Sequence, residues 1–358
     1  MNTKKSSVIY KTASAGTIIL IIFCSWAWID FHKALIEPAV IGNAVLIEIN
    51  KGDSFEQITT KLSSQNVKFR PIWLRVLAVQ NKVTKKIKTG EFELTTGMTI
   101  PQILTHLVNG KRKQYALTIP EGWSFKEILQ ELDNSLNIEH SINQTNIDQV
   151  IQQITTDNKV TIKLTNLNIP ADGLQKLEGL IYPDTYFFEK HTSDKDLLTR
   201  ALDKMLSVLA EQWQNKTEGL PLTTPYEALI LASIIEKETA QITERPLIAG
   251  VFSRRLKTGM RLQTDPTVIY GMGDKYAGNI THQDLITETP YNTYIIKGLP
   301  PTPIAMPGRA AIFAALHPDQ SDNLYFVAKG DGSHEFSSNL TAHNIAVDNY
   351  QRKKDATR

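Results

Sequence analysis

Two glutamates close a long apolar run. Residues Tyr226 to Ala240 read Tyr-Glu-Ala-Leu-Ile-Leu-Ala-Ser-Ile-Ile-Glu-Lys-Glu-Thr-Ala, with Glu236 and Glu238 near the end. On a helix advancing about 100° per residue, Leu231, Ile234, Ile235 and Glu238 share one stripe, whereas Glu236 turns about 140° away from Leu231. A carboxyl at the end of an apolar stripe is partly desolvated, which disfavours its anion and raises its pKa. Such a group keeps a proton near neutral pH and can hand it to a leaving oxygen, as glycosidic-bond cleavage requires. The helix alone leaves a plainer alternative open, an ordinary helix-end acid paired with Lys237 or Arg245.

Other chemistries find little support. His282, His317, His334 and His343 are too scattered for a metal motif, and HExxH is absent. There is no G-x-S-x-G elbow and no P-loop, and Gly271-Met-Gly273 reads as a turn. The single cysteine, Cys24, excludes an internal disulfide and a CxxC zinc site. A formal charge of +2, with basic runs only at Lys85-Lys86 and Lys111-Arg112-Lys113, argues against nucleic-acid binding. With 41% hydrophobic and 21% charged residues, the chain is globular rather than disordered.

The glutamate helix needs a start and a scaffold. Thr224 is its cap and Pro225 its first residue. A second helix is predicted from about Leu197 to Trp213, after an aromatic, turn-bounded stretch from Gly179 to Phe188. Residues 134–172, rich in Asn, Gln, Thr and Ile, read as a partly helical connector. Before them one pattern recurs, in Leu46 to Leu62, Phe92 to Leu107 and Leu117 to Leu132. Each copy has a short strand and a glycine (Gly52, Gly97, Gly122), then a hydroxyl residue (Ser54, Thr99, Ser124). Gln57, Gln102 or Glu127 follows three residues on. That is a helix capping box, and the helices it opens place apolar residues three and four apart. Strand-turn-helix units of this size bury their apolar faces only against each other. The first copy resembles the opening of a LysM-like carbohydrate-binding module; a structural spacer is the alternative.

Residues Thr12 to Ile29 carry no charge. As a helix they span roughly 27 Å, close to the hydrocarbon thickness of a bilayer. Lys4, Lys5 and Lys11 precede this run, and Trp26 and Trp28 lie toward its far end. The positive-inside rule then puts the N-terminus in the cytoplasm. Ser25 and Ala27 offer a signal-peptidase alternative, although bulky Trp28 and Ile29 follow them. Phe23 before Cys24 argues against a lipoprotein, and a buried core helix is a third reading.

Longer motifs sharpen these readings. Ala232-Ser-Ile-Ile-Glu-Lys-Glu-Thr239, the run from Arg254 to Gly271, Tyr291-Asn-Thr-Tyr294, Gly298-Leu-Pro-Pro-Thr-Pro-Ile304 and Pro307-Gly308 occur in that order. Together they closely resemble the YceG-like family, the endolytic murein transglycosylases, from the N-terminal anchor to Tyr350, with a poor match over 134–172. The resemblance implies a periplasm-facing lyase of the inner membrane. Its catalytic glutamate matches Glu238, and Gln263, Thr264, Asp265, Tyr291, Asn292 and Tyr294 are the polar or aromatic loop residues available to bind sugar. Asp265-Pro266 and Tyr291-Asn292 read equally well as turn formers. The bond cut would join N-acetylmuramic acid to N-acetylglucosamine and leave a 1,6-anhydro end, in termination of glycan polymerisation and wall remodelling. A muramidase using water, with Asp265 or Glu236 as second acid, is the alternative, and a wall-binding scaffold is another.

The expected architecture is α+β. It comprises a cytoplasmic tail (1–11), a transmembrane helix (12–32), a small LysM-like domain (33–133), a connector (134–172), a larger mixed α/β catalytic domain (173–350) and a tail (351–358). The expected partners are peptidoglycan glycan strands, the membrane and peptidoglycan synthases, with no nucleic acid, metal or cofactor.

Overall fold

The computed structural model describes residues 3–142, 147–171 and 177–352, and residues 1–2, 143–146, 172–176 and 353–358 lie outside the description. Most of the expected C-terminal tail, and the expected start of the catalytic domain, fall on the latter. Helices and strands are mixed, and the strands form two-stranded sheets. The chain divides into two compact units, Met1–Tyr115 and Ala116–Arg358.

In the first unit, α1 (Thr3–Ile36) leads into β1 (Val45–Ile49), α2 (Phe55–Ser64), α3 (Pro71–Gln80), β2 (Gly90–Leu94) and α4 (Ile100–Asn109). Within α1, Ser14–Ile36 is long and apolar enough to cross a membrane. Strands β1 and β2 are antiparallel, with Val45 opposite Leu94 and Ile49 opposite Gly90. Their inner side chains, Ile47, Ile49, Phe92 and Leu94, form a core with Ile58, Leu62, Leu74, Leu77, Ile103 and Leu107.

All three capping boxes form, Ser54 with Gln57, Thr99 with Gln102 and Ser124 with Glu127. The glycines before them sit at φ of +96° (Gly52), +89° (Gly97) and +78° (Gly122), where a side chain would be strained. The third copy falls in the second unit. Its strand β3 (Tyr115–Thr118) pairs with β5 (Thr185–Phe188), and its helix is α5 (Phe125–Asn134). A capping box sets how a helix starts but carries no information about which strand its neighbour will pair with.

The described part of the expected connector holds a short strand and two helices. Strand β4 (Ile138–Glu139) runs parallel to β6 (Thr192–Ser193). Helices α6 (Ile147–Thr155) and α7 (Asn158–Asn166) pack on α8 (Asp194–Gln214) through Val150, Ile151, Ile154, Val160 and Leu164. Apolar residues at helical spacing were present there; the polar residues between them hid the pattern.

Helix α9 (Pro225–Glu238) is the centre of the second unit. It packs against α8, α10 (Arg245–Lys257), α11 (Asp265–Met272) and α13 (Arg309–Leu316). The Thr224 hydroxyl accepts from the Glu227 N–H at 3.2 Å, and Pro225 occupies the first turn, as expected. The helix stops at Glu238 because Thr239 is extended, two residues before the expected end. After α12 (His282–Ile286) and α13, the hairpin β7 (Tyr325–Ala328)/β8 (His334–Ser337) and α14 (Leu340–Val347) complete the unit.

Candidate active site

Helix α9 has no polar face to speak of. Tyr226 and every residue from Ala228 to Ile235 are buried. A helix apolar all round is a core helix, so the stripe that singled out Glu238 is one of several. Glu236 is desolvated too, its side chain 5% exposed, and burial raises its pKa against the opposing pull of the Gly308 N–H and Arg245. Desolvation therefore does not separate the two glutamates. Their partners do.

Glu236 is fully committed. Its Oε1 lies 2.5 Å from Arg245 Nη2, and its Oε2 accepts from the Gly308 N–H at 3.0 Å. The plain helix-end reading, a pair with Arg245, thus holds for Glu236. Its neighbour Lys237 donates to the Gly122 carbonyl at 3.1 Å, and the 122–123 loop exchanges backbone bonds with Met306. The glycine of the third capping box thereby braces the end of α9.

Glu238 faces a cleft of about 470 Å³ and forms no ion pair among the described residues. The Thr264 hydroxyl donates to Glu238 Oε1. Burial pushes its pKa up to about 7, assisted by the nearby Asp265 charge and opposed by the Thr264 hydrogen bond, His334 and Arg255. The group is therefore partly protonated at neutral pH.

The segment 263–265 is held by a buried web of hydroxyls. The Thr264 N–H donates to Thr293 Oγ1 at 3.0 Å, Thr267 donates to the Thr264 carbonyl at 2.8 Å, and the Thr267 and Thr293 hydroxyls are 2.9 Å apart. Gln263 adopts φ +53°, a left-handed conformation that a side chain other than glycine reaches only when the surroundings impose it. Asp265 begins α11, with its Oδ1 accepting from the Tyr294 hydroxyl at 2.6 Å. Burial, then that hydrogen bond, push the Tyr294 hydroxyl pKa up.

Of the six loop residues proposed to bind sugar, Gln263, Asp265 and Tyr294 line the cleft beside Glu238. Thr264 is buried behind it. Tyr291 and Asn292 are not among the lining residues. Asn292 is 1% exposed; its amide nitrogen donates to the carbonyls of Asp284, Leu285 and Thr287, and its Oδ1 accepts from the Tyr294 N–H. Tyr291 packs edge-on to Tyr270 and shares a 2.8 Å hydrogen bond with the Thr302 hydroxyl. Both residues shape the loop that presents Tyr294, in line with their turn-forming alternative.

The rest of the cleft lining comes largely from residues the sequence did not single out as a site. His334, His343, Tyr325, Phe326, Leu340 and Asn344 supply it, from β7, β8 and α14. His334 Nδ1 lies 2.7 Å from Glu244 Oε2, and the His334 N–H donates to Glu244 Oε1 at 3.0 Å, so one carboxylate fixes both ring and backbone. Arg255 donates to the carbonyls of Leu324 and Leu262 at 2.7 Å each, and its guanidinium stacks on Tyr325, which stacks in turn on His343. The histidines gave no signal as a metal motif; nothing in their spacing showed that β8 and α14 would bring His334 and His343 to the cleft that Glu238 lines.

A model described as the YceG-like family matches residues 47–349. An endolytic murein transglycosylase of Bacillus subtilis is 30% identical over 332 residues, covering 91% of this chain and 90% of that protein. One of Streptococcus pneumoniae is 29% identical over 333 residues, covering 87% of this chain. This chain spans 59% of the length of the pneumococcal protein. The 2.6 Å crystal structure of a yceG-like protein from Listeria monocytogenes aligns with a TM-score of 0.55 at 31% identity, covering 85% of this chain and 98% of that one.

Proposed function

The chain belongs to the YceG-like family, and from that premise we propose that it is a lyase that cuts peptidoglycan glycan strands internally, with Glu238 as its acid and base. One observation carries the assignment of Glu238: a half-buried carboxyl with a pKa of about 7 opens onto a cleft and, among the described residues, has no cation in an ion pair with it, while Glu236 is consumed by Arg245. A cleft of about 470 Å³ lies within the usual size of ligand sites.

In the proposed reaction Glu238 gives its proton to the oxygen linking N-acetylmuramic acid to N-acetylglucosamine. It then takes a proton from the muramic C6 hydroxyl as that oxygen closes on C1. The product is a 1,6-anhydro end, and no water is consumed. An intramolecular nucleophile has the proximity that a free water lacks, so a second carboxylate is not obligatory. The Thr264 hydroxyl holds the carboxyl in place between the two proton transfers. Gln263 and Tyr294 offer an amide and a ring to the sugar, and the Asp265 charge helps keep Glu238 protonated until the bond breaks.

The N-terminal helix α1 anchors the chain in the inner membrane, with Lys4, Lys5 and Lys11 in the cytoplasm and both units in the periplasm. The order β1–α2–α3–β2 supports reading the first unit as the LysM-like module. Cutting close to the membrane suits a role in ending glycan polymerisation, with peptidoglycan synthases as partners. Mass spectrometry of strands treated with the full chain tests the reaction: anhydro-muramic ends are expected, with none from Glu238→Gln. Asp265, a second carboxylate in the cleft, favours one alternative, a water-using muramidase. Reducing ends in place of anhydro ends would establish that alternative instead.

A further inference from the structure

Helix α3 (Pro71–Gln80) is apolar on both faces. Leu74, Leu77 and Ala78 enter the core of the first unit. On the opposite side Ile72, Val76 and Val79, spaced four and three apart, are 63%, 40% and 61% exposed. A helix apolar all round is ordinarily covered all round, and three aliphatic side chains in one stripe mark a contact surface rather than scattered exposure. Nothing in the first unit among the described residues covers them.

What lies beside α3 indicates the cover. Trp73 Nε1 donates to Asp30 Oδ2 at 2.6 Å, Arg70 Nη2 is 3.2 Å from Asp30 Oδ1, and the Trp73 and Phe31 rings are 5.2 Å apart. The Arg70 guanidinium also lies 5.5 Å from the Trp26 ring. Asp30 is the first charged residue after the uncharged run Thr12 to Ile29, the point where that run ends. Phe31, Ala34 and Leu35 continue from α1 into the core of the same unit, so no slack chain separates the helix from the domain. The N-terminal end of α3 is thus pinned at the depth where a spanning helix leaves the hydrocarbon, the level at which tryptophan side chains favour the interface. Exposed Arg75 borders the apolar stripe and exposed Lys68 precedes the helix, placing cations where anionic headgroups would lie.

We propose that the outer face of α3, formed by Ile72, Val76 and Val79, is a membrane-docking surface that rests in the headgroup region of the bilayer and seats the first unit against the membrane. This rests on reading α1 as a membrane span. Interfacial helices bind by this combination of a buried aliphatic face and flanking cations.

Spin labelling of the full chain in vesicles of phosphatidylethanolamine and phosphatidylglycerol tests it. Cys24→Ser removes the native thiol, and nitroxides are attached singly at Val76→Cys, Val79→Cys, Leu20→Cys within the span and Glu218→Cys as a water reference. Positions 76 and 79 are expected to fall between 218 and 20, more accessible to oxygen and better protected from a water-soluble nickel complex than 218. If 20 is immersed while 76 and 79 are as nickel-accessible as 218, the docking surface is overturned and the span stands. If 20 itself is nickel-accessible, the span reading fails and the docking surface with it. Protection of 76 from both reagents, with dipolar broadening, would mean that a second copy of the chain covers the face, which also overturns the proposal.

Discussion

The Thr264 hydroxyl donates a hydrogen bond to Glu238 Oε1, while the backbone N–H of Thr264 is itself held by the Thr293 hydroxyl at 3.0 Å. The loop that carries cleft residues Gln263 and Asp265 therefore also fixes the orientation of the carboxyl. The hydrogen bond favours the Glu238 anion and so lowers its pKa against the larger, raising effect of burial. Thr264→Val is expected to move the high-pH limb of kcat/KM to higher pH and to lower the maximum rate, with Thr264→Ser close to the parent. A pH-rate profile of strand cleavage measures both; an unshifted limb in Thr264→Val would remove this role for the hydroxyl.

Glu238→Gln should reduce cleavage by at least about 100-fold, the lower end of what a positioned general acid contributes. The amide is isosteric, so the thermal midpoint near pH 5 should stay within a few degrees of the parent. Activity in the parent should decline as pH rises through about 7, where the proton to be donated is lost.

Stability should carry the same signature. The folded pKa of Glu238, about 7, exceeds its ordinary value of 4.5, so the native state binds more protons between those limits. The associated stability is fully present below the unfolded pKa and is lost as pH rises through the folded one. Glu178 adds to the effect: burial raises it to about 7, although the Phe125 N–H and the Tyr270 hydroxyl bond to it at 3.1 Å each. Thermal melts from pH 5 to 8 should show Glu238→Gln and Glu178→Gln each gaining on the parent toward pH 8, and the double variant gaining most.

Glu236 and Arg245 form a buried pair, each side chain 5% exposed. Glu236→Ala leaves the buried guanidinium only the more distant Glu121 carboxylate, 3.6 Å from Nη2, and the Gly308 N–H without its acceptor. Removing one member of such a pair costs about 3–5 kcal/mol. Chemical denaturation should show that loss, and replacing both residues by apolar ones of similar volume should recover a large part of it.

Gln263 tests side chain against backbone. Gln263→Gly accepts the positive φ without strain, so stability should hold or rise slightly while the amide is lost from the cleft. KM for glycan strands should then rise several-fold with little change in kcat. An unchanged KM would show that only the backbone bend at 263 matters.

Much of this molecule is local and was legible from the chain. Three capping boxes, the Thr224 cap with Pro225, the apolar N-terminal run and the ordered motifs around Glu238 are short-range features, each set by residues within a few positions of one another. Tertiary structure decided which partners those elements took. It buried α9 on every side, which erased the stripe argument, and it separated Glu236 from Glu238 by giving one an arginine and the other a threonine and a cleft. It withdrew Tyr291 and Asn292 into hydrogen bonds of their own and supplied His334 from the β7/β8 hairpin and His343 from α14, about 100 residues away along the chain. The reason is physical. Helix starts and apolar spans depend on neighbours in sequence, whereas the state of a carboxyl depends on the charges, donors and solvent around it in space, and those come from segments whose spacing in the chain carries no record of their meeting.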